Sequence, residues 1–154
     1  MNTTRLIRVY LLDTNIISYS LYHPETYPDL VKKIRTVKQS LIYVADVTAQ
    51  ELLHGELRAL SQSANQKYPK IVERHKYFND MLNLVLSKLQ IKTFDDAAYR
   101  EFEKLPKSVR RGYNDKRIAA IALANKFILV TANVQHFEDI PNIEIQDWTA
   151  RPLE

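Results

Sequence analysis

The 154-residue chain contains no cysteine and only two glycines, and each shortage excludes a class of functional site. Without cysteine, a disulfide framework, a zinc–thiolate centre, an iron–sulfur cluster and a thiol nucleophile are all impossible. The two isolated glycines, Gly55 and Gly112, cannot build the glycine-rich loops that cradle nucleotide phosphates. Any chemistry must therefore come from carboxylates, amides, hydroxyls, imidazoles and basic side chains.

The sequence also lacks the run of about 20 apolar residues that spans a bilayer, and residues 1–8 are too short and polar to form a signal peptide. We therefore expect a cytoplasmic protein that does not enter a membrane. Hydrophobic residues make up 45% and charged residues 26% of the chain, which is typical of an ordinary globular protein. The length predicts a single domain over residues 1–154.

Positive charge is unevenly distributed along the chain. Its net charge of +4 is common among proteins that never bind nucleic acid. Residues 100–117, however, include seven basic and three acidic residues, an excess equal to that of the whole chain. The positive charge is therefore concentrated beside Asp115.

Short apolar strands alternate with amphipathic helices along the sequence. Strands are predicted at residues 9–12, 41–44, 91–94, 127–131 and 143–145, and helices at residues 14 onward, 30–37, 48–60, 70–89, 95–105 and 115–125. Parallel strands need crossover connections, so this order predicts a three-layer α/β/α sandwich with a central parallel sheet. The helices over residues 48–60 and 70–89 are predicted to form a helical hairpin.

Three acidic residues are predicted near the carboxyl ends of strands. Asp13 follows the first strand, Glu51 lies in the first turn of the helix after the second strand, and Asp115 opens the helix before the strand at residues 127–131. Ligands bind at the carboxyl edge of open parallel sheets, so we expect these side chains to converge. Carboxylates that repel one another are tolerated around a hard divalent cation, such as Mg²⁺ or Mn²⁺, which can activate water against a phosphodiester.

Each carboxylate also has a structural explanation. Glu51 with Thr48 fits a capping box, and Asp115 after Asn114 fits a first-turn acid that the helix dipole favours. Asp13 is harder to explain in this way, because an acid at the end of a buried strand is costly to desolvate without a partner. Spacing alone therefore indicates a metal site but leaves the structural explanations open.

The carboxylates belong to a series of short motifs. These are residues 11–15 with Ser18, 51–55, 114–120 with Ala122, 130–133 with Phe137, and 145–148. In order and spacing, the series resembles the motifs of PIN domains over residues 9–148, and the subtype resembles the VapC toxins of bacterial toxin–antitoxin pairs. No single motif is decisive, but the ordered set is specific.

The resemblance implies a ribonuclease that cuts RNA with Mg²⁺ or Mn²⁺. It implies that Asp13 and Asp115 are metal ligands and that Glu51 orients the metal or its water. Hydrogen bonds to these carboxylates or to the scissile phosphate are expected from Thr14, Asn15, Thr131 and Asn133. Contacts with the RNA backbone are expected from Lys107, Arg110, Arg111, Lys116 and Arg117, although a solvated helix face explains this basic segment equally well.

The resemblance also implies partners. Proteins of this family often form homodimers and are held inactive by a small antitoxin. The helical hairpin over residues 48–89 offers an apolar surface for both contacts, unless that surface is wholly intramolecular. The short chain, without an added RNA-binding module, favours a toxin over a housekeeping RNA-processing nuclease.

The sequence departs from the family pattern at His136, where PIN domains commonly have an acid. Three alternative consequences are expected: weaker binding of a second metal ion, compensation by Glu138 or Asp139, or reduced activity. His136 itself is not assigned to the metal. One alternative is therefore a catalytically weak module that binds nucleic acid or a partner. A phosphoacceptor, in which an aspartate at a strand end is phosphorylated, is disfavoured. The haloacid-dehalogenase pattern needs a second aspartate where this chain has Asn15. The receiver pattern needs a late lysine at the end of a strand, whereas Lys126 precedes the last buried strand.

Overall fold

The computed structural model describes residues 6–107 and 112–150, where strands and helices alternate in the predicted order. The strands are β1 (Tyr10–Leu12), β2 (Ile42–Ala45), β3 (Ile91–Lys92), β4 (Ile128–Val130) and β5 (Ile145–Gln146). The α-helices are α1 (Thr14–Tyr22), α2 (Pro28–Thr36), α3 (Asp46–Gln62), α4 (Lys70–Asn83), α5 (Asp96–Lys104) and α6 (Tyr113–Asn125). Two 3₁₀ turns (Gln39–Leu41 and Val134–His136) and a π-helical turn (Leu84–Lys88) complete the described elements.

The strands form one parallel sheet in the order β3-β2-β1-β4-β5. β1 is central, and its last residue, Leu12, is paired with Val44 of β2 and Val130 of β4. The carboxyl ends of these three strands therefore meet at one edge of the sheet. This edge is where the sequence predicted that ligands would bind.

Helices cover both faces of the sheet, which confirms the three-layer α/β/α sandwich. Successive residues of a strand point to opposite faces, and the adjacent residues Leu11 and Leu12 accordingly lie in different hydrophobic cores. Leu11 packs with Ala98 of α5 and Ile118 of α6, whereas the core around Leu12 contains residues of α1, α2, α3 and α4. β4 and the last two residues of β1 are accordingly buried from both sides, whereas Ile91 of the edge strand β3 is 40% exposed.

α3 begins at Asp46, two residues before the predicted start at Thr48. The Asp46 carboxylate accepts hydrogen bonds from the backbone N–H of Val47 at 2.8 Å and of Phe94 at 2.9 Å. Thr48 is thus inside the helix and fully buried, and Glu51 lies in the second turn rather than the first. The prediction that Thr48 and Glu51 form a capping box at the start of this helix is therefore wrong.

The predicted hairpin is present, since α3 packs against α4. The spacing of Ala49, Leu53, Leu57 and Leu60 predicts that these residues share the buried face of α3, but of the four only Ala49 is buried. Leu57 is 49% exposed, whereas the neighbouring Glu56 is only 4% exposed. Glu56 accepts a 2.8 Å hydrogen bond from the Arg74 guanidinium of α4 and another from the Tyr22 hydroxyl of α1. Burial and this bond to a carboxylate raise the pKa of Tyr22. An ionic network, rather than an apolar stripe alone, therefore joins α1, α3 and α4.

α6 begins at Tyr113, with Gly112 as its N-terminal capping residue. Asp115 is therefore the third residue of this helix and not the first, although it still lies in the positively polarised first turn. None of the helices in the described part of the chain combines the length and hydropathy needed to cross a lipid bilayer.

Candidate active site

Asp13 links the end of β1 to the start of α1. It is the N-terminal capping residue of α1, and its Oδ1 accepts a 2.8 Å hydrogen bond from the backbone N–H of Thr14. Its Oδ2 accepts a 2.8 Å bond from the hydroxyl of Thr131, just beyond β4. Asp13 is only 5% exposed, so both carboxylate oxygens are held in a buried position at the carboxyl edge of the sheet.

Burial raises the pKa of the Asp13 carboxyl above its ordinary value, because desolvation disfavours the charged form. The hydrogen bonds from Thr131 and Thr14 act in the opposite direction, as does the positive charge that His136 can carry. The negative charge of Asp115 raises the pKa further, which shows that the two carboxylates are within electrostatic range. A cation between them would favour the ionised form of both.

Glu51 approaches the same edge from α3. The hydroxyl of Thr14 lies 3.3 Å from Glu51 Oε1 and 3.1 Å from the hydroxyl of Thr48. Burial raises the pKa of the half-buried Glu51 carboxyl, and the charges of Asp13 and Asp115 raise it further against the opposing effect of the Thr14 hydrogen bond. The structure therefore brings the three predicted carboxylates into one electrostatically coupled group.

Asp115 is partly accessible, with 27% of its side chain exposed. Its Oδ2 lies 3.3 Å from Nδ1 of His136. His136 is the last residue of the 3₁₀ turn that follows β4. His136 is not assigned to the metal from sequence, because a lone histidine is more often an exposed surface residue than a ligand. The only sequence signal was its place one residue before the buried Phe137, where the family commonly has an acid.

The neutral polar residues join the ends of β1 and β4. Thr131 is fully buried, and its Oγ1 accepts a 3.1 Å hydrogen bond from the backbone N–H of Asn133 while it donates to Asp13. Asn15 Oδ1 accepts a 3.3 Å bond from the N–H of Ala132, and its Nδ2 lies 3.5 Å from Thr131 Oγ1. Thr14, Asn15 and Thr131 thus form one network around Asp13, which Asn133 joins through its backbone N–H. Thr48, whose hydroxyl lies 3.1 Å from that of Thr14, also belongs to this site, although the sequence predicts it only as a helix cap.

The structure describes three of the five basic residues that were predicted to contact RNA. Lys116 and Arg117 lie in the first turns of α6 and are half-buried, and Lys107 is exposed. The Arg117 guanidinium lies 6.0 Å from the centroid of the Phe94 ring, so its position is fixed by an aromatic contact. Arg110 and Arg111 lie outside the described residues.

The donor chemistry of this edge fits a hard divalent cation. Carboxylate oxygens approach one another there, and the neighbouring carboxylates add to the effect of burial in raising the pKa values of Asp13 and Glu51. In residues 6–107 and 112–150, no three acidic or histidine side chains are close enough to ligate one ion together. Mg²⁺ commonly binds through one or two carboxylates and retains several waters, so Asp13 and Asp115 would suffice as its protein ligands.

The sequence matches the PIN domain family over residues 10–143. It is similar to "Ribonuclease VapC2" of Rickettsia felis, with 27% identity over 146 residues that cover 91% of this chain and 98% of the relative. It is also similar to "tRNA(fMet)-specific endonuclease VapC" of Salmonella typhimurium, with 24% identity over 144 residues that cover 90% of this chain and 97% of the relative.

A solved structure shares the fold. The crystal structure of VapBC2 from Rickettsia felis, bound to a DNA fragment from its promoter, superimposes with a TM-score of 0.66 and 26% sequence identity. The superposition covers 91% of this chain and 98% of the matched chain. The likeness therefore extends over nearly the full length of both chains.

Proposed function

The chain belongs to the PIN domain family, and from this premise we propose that it is a metal-dependent endoribonuclease that acts as the toxin of a toxin–antitoxin pair. The observation that carries the proposal is the convergence of Asp13, Glu51 and Asp115 at the carboxyl edge of the sheet. Relatives named as VapC ribonucleases, which this chain covers almost completely, support the reaction class.

In this proposal, Asp13 and Asp115 hold a Mg²⁺ or Mn²⁺ ion. A divalent ion supplies Lewis acidity toward a phosphodiester and lowers the pKa of water. Glu51 would orient a water toward the phosphodiester, and the Thr14 hydroxyl, 3.3 Å from Glu51 Oε1, holds the Glu51 carboxylate in place. Thr131, with Asn15 and Asn133 around it, holds Asp13 in a single orientation, so that little reorganisation is needed when substrate binds.

We propose that the RNA backbone runs over the first turns of α6. Lys116 directly follows Asp115, and Arg117 is the next residue, so cationic groups border the carboxylates. Lys107 and the two arginines at positions 110 and 111 precede the helix in sequence and would extend the contact. Backbone contacts of this kind position the phosphate without reading the base sequence.

We propose a small antitoxin protein as the regulatory partner, because the matched Rickettsia felis structure is a VapBC complex. A groove of about 750 Å³ lies apart from the carboxylates, between α1, α2, β2 and the π-helical turn. Its floor includes Ile17, Ile34 and Leu89, and Lys38 and Lys88 lie among its polar lining residues. Such a groove suits an amphipathic segment that carries acidic side chains beside its apolar face.

Further proposals concern assembly and location. Exposed apolar residues of the hairpin, including Leu57 on α3 and Val72 and Tyr77 on α4, support a homodimer. We place the protein in the cytoplasm, where its RNA substrate would be. We also keep a single domain over residues 1–154, since the described strands form one sheet.

The test is cleavage of a quenched fluorescent RNA by the purified, antitoxin-free protein with Mn²⁺ or Mg²⁺ and with EDTA. Asp115→Asn is expected to lose metal-dependent cleavage by at least about a hundredfold while its fold persists, since asparagine is accommodated in a first turn. Asp29→Asn, which changes an exposed first-turn aspartate of α2, is the matched control and should retain activity.

Three outcomes would contradict the proposal. Equal cleavage by Asp115→Asn would remove the carboxylate group from the mechanism. If the folded protein bound RNAs of several classes but cleaved none of them, the catalytically weak binding module would be favoured instead. Unfolding of Asp115→Asn would favour a structural role for this carboxylate.

A further inference from the structure

A row of three aromatic rings, Phe94, Phe102 and Tyr99, begins at the carboxyl edge of the sheet and continues along α5. Phe94 lies at this edge because its backbone N–H donates a 2.9 Å hydrogen bond to the carboxylate of Asp46, the first residue after β2. The Phe94 ring meets the Phe102 ring edge-on, with centroids 5.8 Å apart, and Phe102 is stacked with Tyr99 at 6.5 Å. This aromatic row therefore leads from the edge that holds the carboxylates to the surface of α5.

Tyr99 is the exposed end of the aromatic row. It is 54% exposed, although the preceding residue, Ala98, is completely buried. The half-buried Phe102 holds the Tyr99 ring nearly parallel to its own, with 20° between the two planes. An accessible aromatic ring that is held in place by its neighbours is the kind of side chain on which nucleic-acid bases stack.

Arg117 connects the aromatic row with the carboxylate group. It lies two residues after Asp115 on α6, and its guanidinium is 6.0 Å from the centroid of the Phe94 ring. The aromatic row is thus continuous, through this contact, with the helix turn that carries Asp115. An RNA strand whose phosphate lies at the carboxylates can therefore continue over Arg117 toward α5.

Positive charge accompanies the aromatic row. Arg100 directly follows Tyr99 and is exposed, and residues 100–117 contain seven basic and three acidic residues. One of these acids, Glu101, lies 3.5 Å from the Lys104 ammonium, which partly compensates its charge. Cations beside exposed aromatic rings are the combination that binds single-stranded nucleic acids, because the cations attract the phosphates and the rings stack with the bases.

We propose that Tyr99, supported by Phe102, stacks with an unpaired base of the RNA substrate. In a duplex, the neighbouring bases cover both faces of each base, so a stacking contact requires an unpaired nucleotide. The subsite therefore makes the protein prefer RNA that is single-stranded where it crosses α5. This inference rests on the proposed function, because it names a specificity contact for the same RNA.

The experiment measures RNA binding by fluorescence anisotropy in the Asp115→Asn background, so that the RNA stays intact. Tyr99→Leu keeps an apolar side chain that suits a helix but removes the ring. It should raise the Kd for a single-stranded RNA by about tenfold and leave the Kd for a fully paired duplex of the same length unchanged. Tyr99→Phe, which retains the ring, should bind within about twofold of the parent protein.

The matched control is Tyr68→Leu, which makes the same change at an 82% exposed tyrosine between α3 and α4 and should leave both Kd values unchanged. The salt dependence supplies a second readout. Stacking neutralises no phosphate, so Tyr99→Leu should lower the affinity for the single strand at every salt concentration without changing the slope of log K against log salt. Circular dichroism should show that each variant is folded.

Three outcomes would overturn the stacking assignment alone. These are an unchanged Kd for the single strand in Tyr99→Leu, an equal loss on single-stranded and duplex RNA, and a changed salt slope. If Tyr99→Leu altered the oligomeric state but not RNA affinity, the aromatic row would be a protein contact and the assignment would also fail. A folded parent protein that binds no RNA of either kind would overturn the proposed function as well.

Discussion

The hydroxyl of Thr131 donates a 2.8 Å hydrogen bond to Oδ2 of Asp13, although 118 residues separate them in sequence. The bond is buried and joins the segment after β4 to the end of the central strand β1. Because it acts on the charged form of the carboxyl, it lowers the Asp13 pKa against the larger effect of burial. Thr131 therefore partly offsets the rise in the Asp13 pKa that burial causes.

Thr131→Val should weaken Mn²⁺ binding by about 10- to 100-fold, because the loss of the hydrogen bond raises the Asp13 pKa and frees the carboxylate to rotate. Protons then compete with the metal to a higher pH, so the loss should be larger at pH 6 than at pH 8. Calorimetric titration at both pH values checks this. Thr36→Val is the control, since the Thr36 hydroxyl bonds to the Lys33 carbonyl at the exposed end of α2. Equal Mn²⁺ affinity in Thr131→Val and wild type would contradict the prediction.

Asp13→Asn should stabilise the metal-free protein at neutral pH. The folded-state pKa of Asp13 is raised above the ordinary value of 3.8, so the fold favours the protonated carboxyl. The stability this contributes is present below the ordinary pKa and is lost as the pH rises through the folded-state pKa. In EDTA, the variant should gain about 3 °C in Tm over wild type at pH 7, a change of about 1 kcal/mol for a chain of this size.

The gain should shrink as the pH falls toward 4, where the wild-type carboxyl also becomes protonated. Excess Mn²⁺ should reverse the order of the two Tm values, because only wild type retains Asp13 as a metal ligand. Asp29→Asn, at an exposed position of α2, should show neither effect. A lower Tm for Asp13→Asn in EDTA at pH 7 would contradict the raised pKa.

Glu56→Ala should lower the free energy of unfolding by about 2 to 3 kcal/mol, because it leaves Arg74 and Tyr22 without their carboxylate partner. This loss of unfolding free energy is small for a buried ion pair, because the Arg74 side chain is 25% exposed and solvent screens its charge. The urea unfolding midpoint measures the loss, and Glu73→Ala at an exposed position of α4 is the control. Mn²⁺ affinity should not change, and a parallel loss of metal binding would show that the network supports the carboxylates.

Lys116→Ala should weaken RNA binding several-fold and reduce the dependence of log K on log salt by about 0.7, the value for one phosphate contact on a single strand. Binding is best measured by fluorescence anisotropy in the Asp115→Asn background, so that the RNA stays intact. Lys76→Ala on α4 provides an exposed lysine as the control. An unchanged salt slope would place Lys116 outside the RNA contact.

The sheet and the carboxylate edge were predictable from sequence because they depend on local patterns. A buried strand followed at once by Asp13, and an apolar helix opened near Asp115, need no knowledge of distant contacts. The start of α3 was not predictable in this way. Asp46 binds the N–H of Phe94, 48 residues later, and this tertiary bond sets the helix boundary that Thr48 was expected to set.

The same limit applies to the buried face of α3 and to His136. Glu56 is buried because Arg74 of α4 and Tyr22 of α1 bond to its carboxylate. A hydrophobic pattern cannot reveal such partners, so it predicts burial of the neighbouring Leu57 instead. The contact of His136 with Asp115 depends on a single 3₁₀ turn, which has no periodic signature. The catalytic roles of Asp13, Glu51 and Asp115 stay predictions until the variants are measured.

The central position of β1 has a consequence during translation. Asp13 leaves the ribosome early, but its partner Thr131 is synthesised 118 residues later. At 5 to 20 residues per second, the interval is about 6 to 24 s. Throughout that time the nascent chain carries Asp13 without the strand and hydroxyl that complete its surroundings, so the carboxylate edge can assemble only after Thr131 has been synthesised.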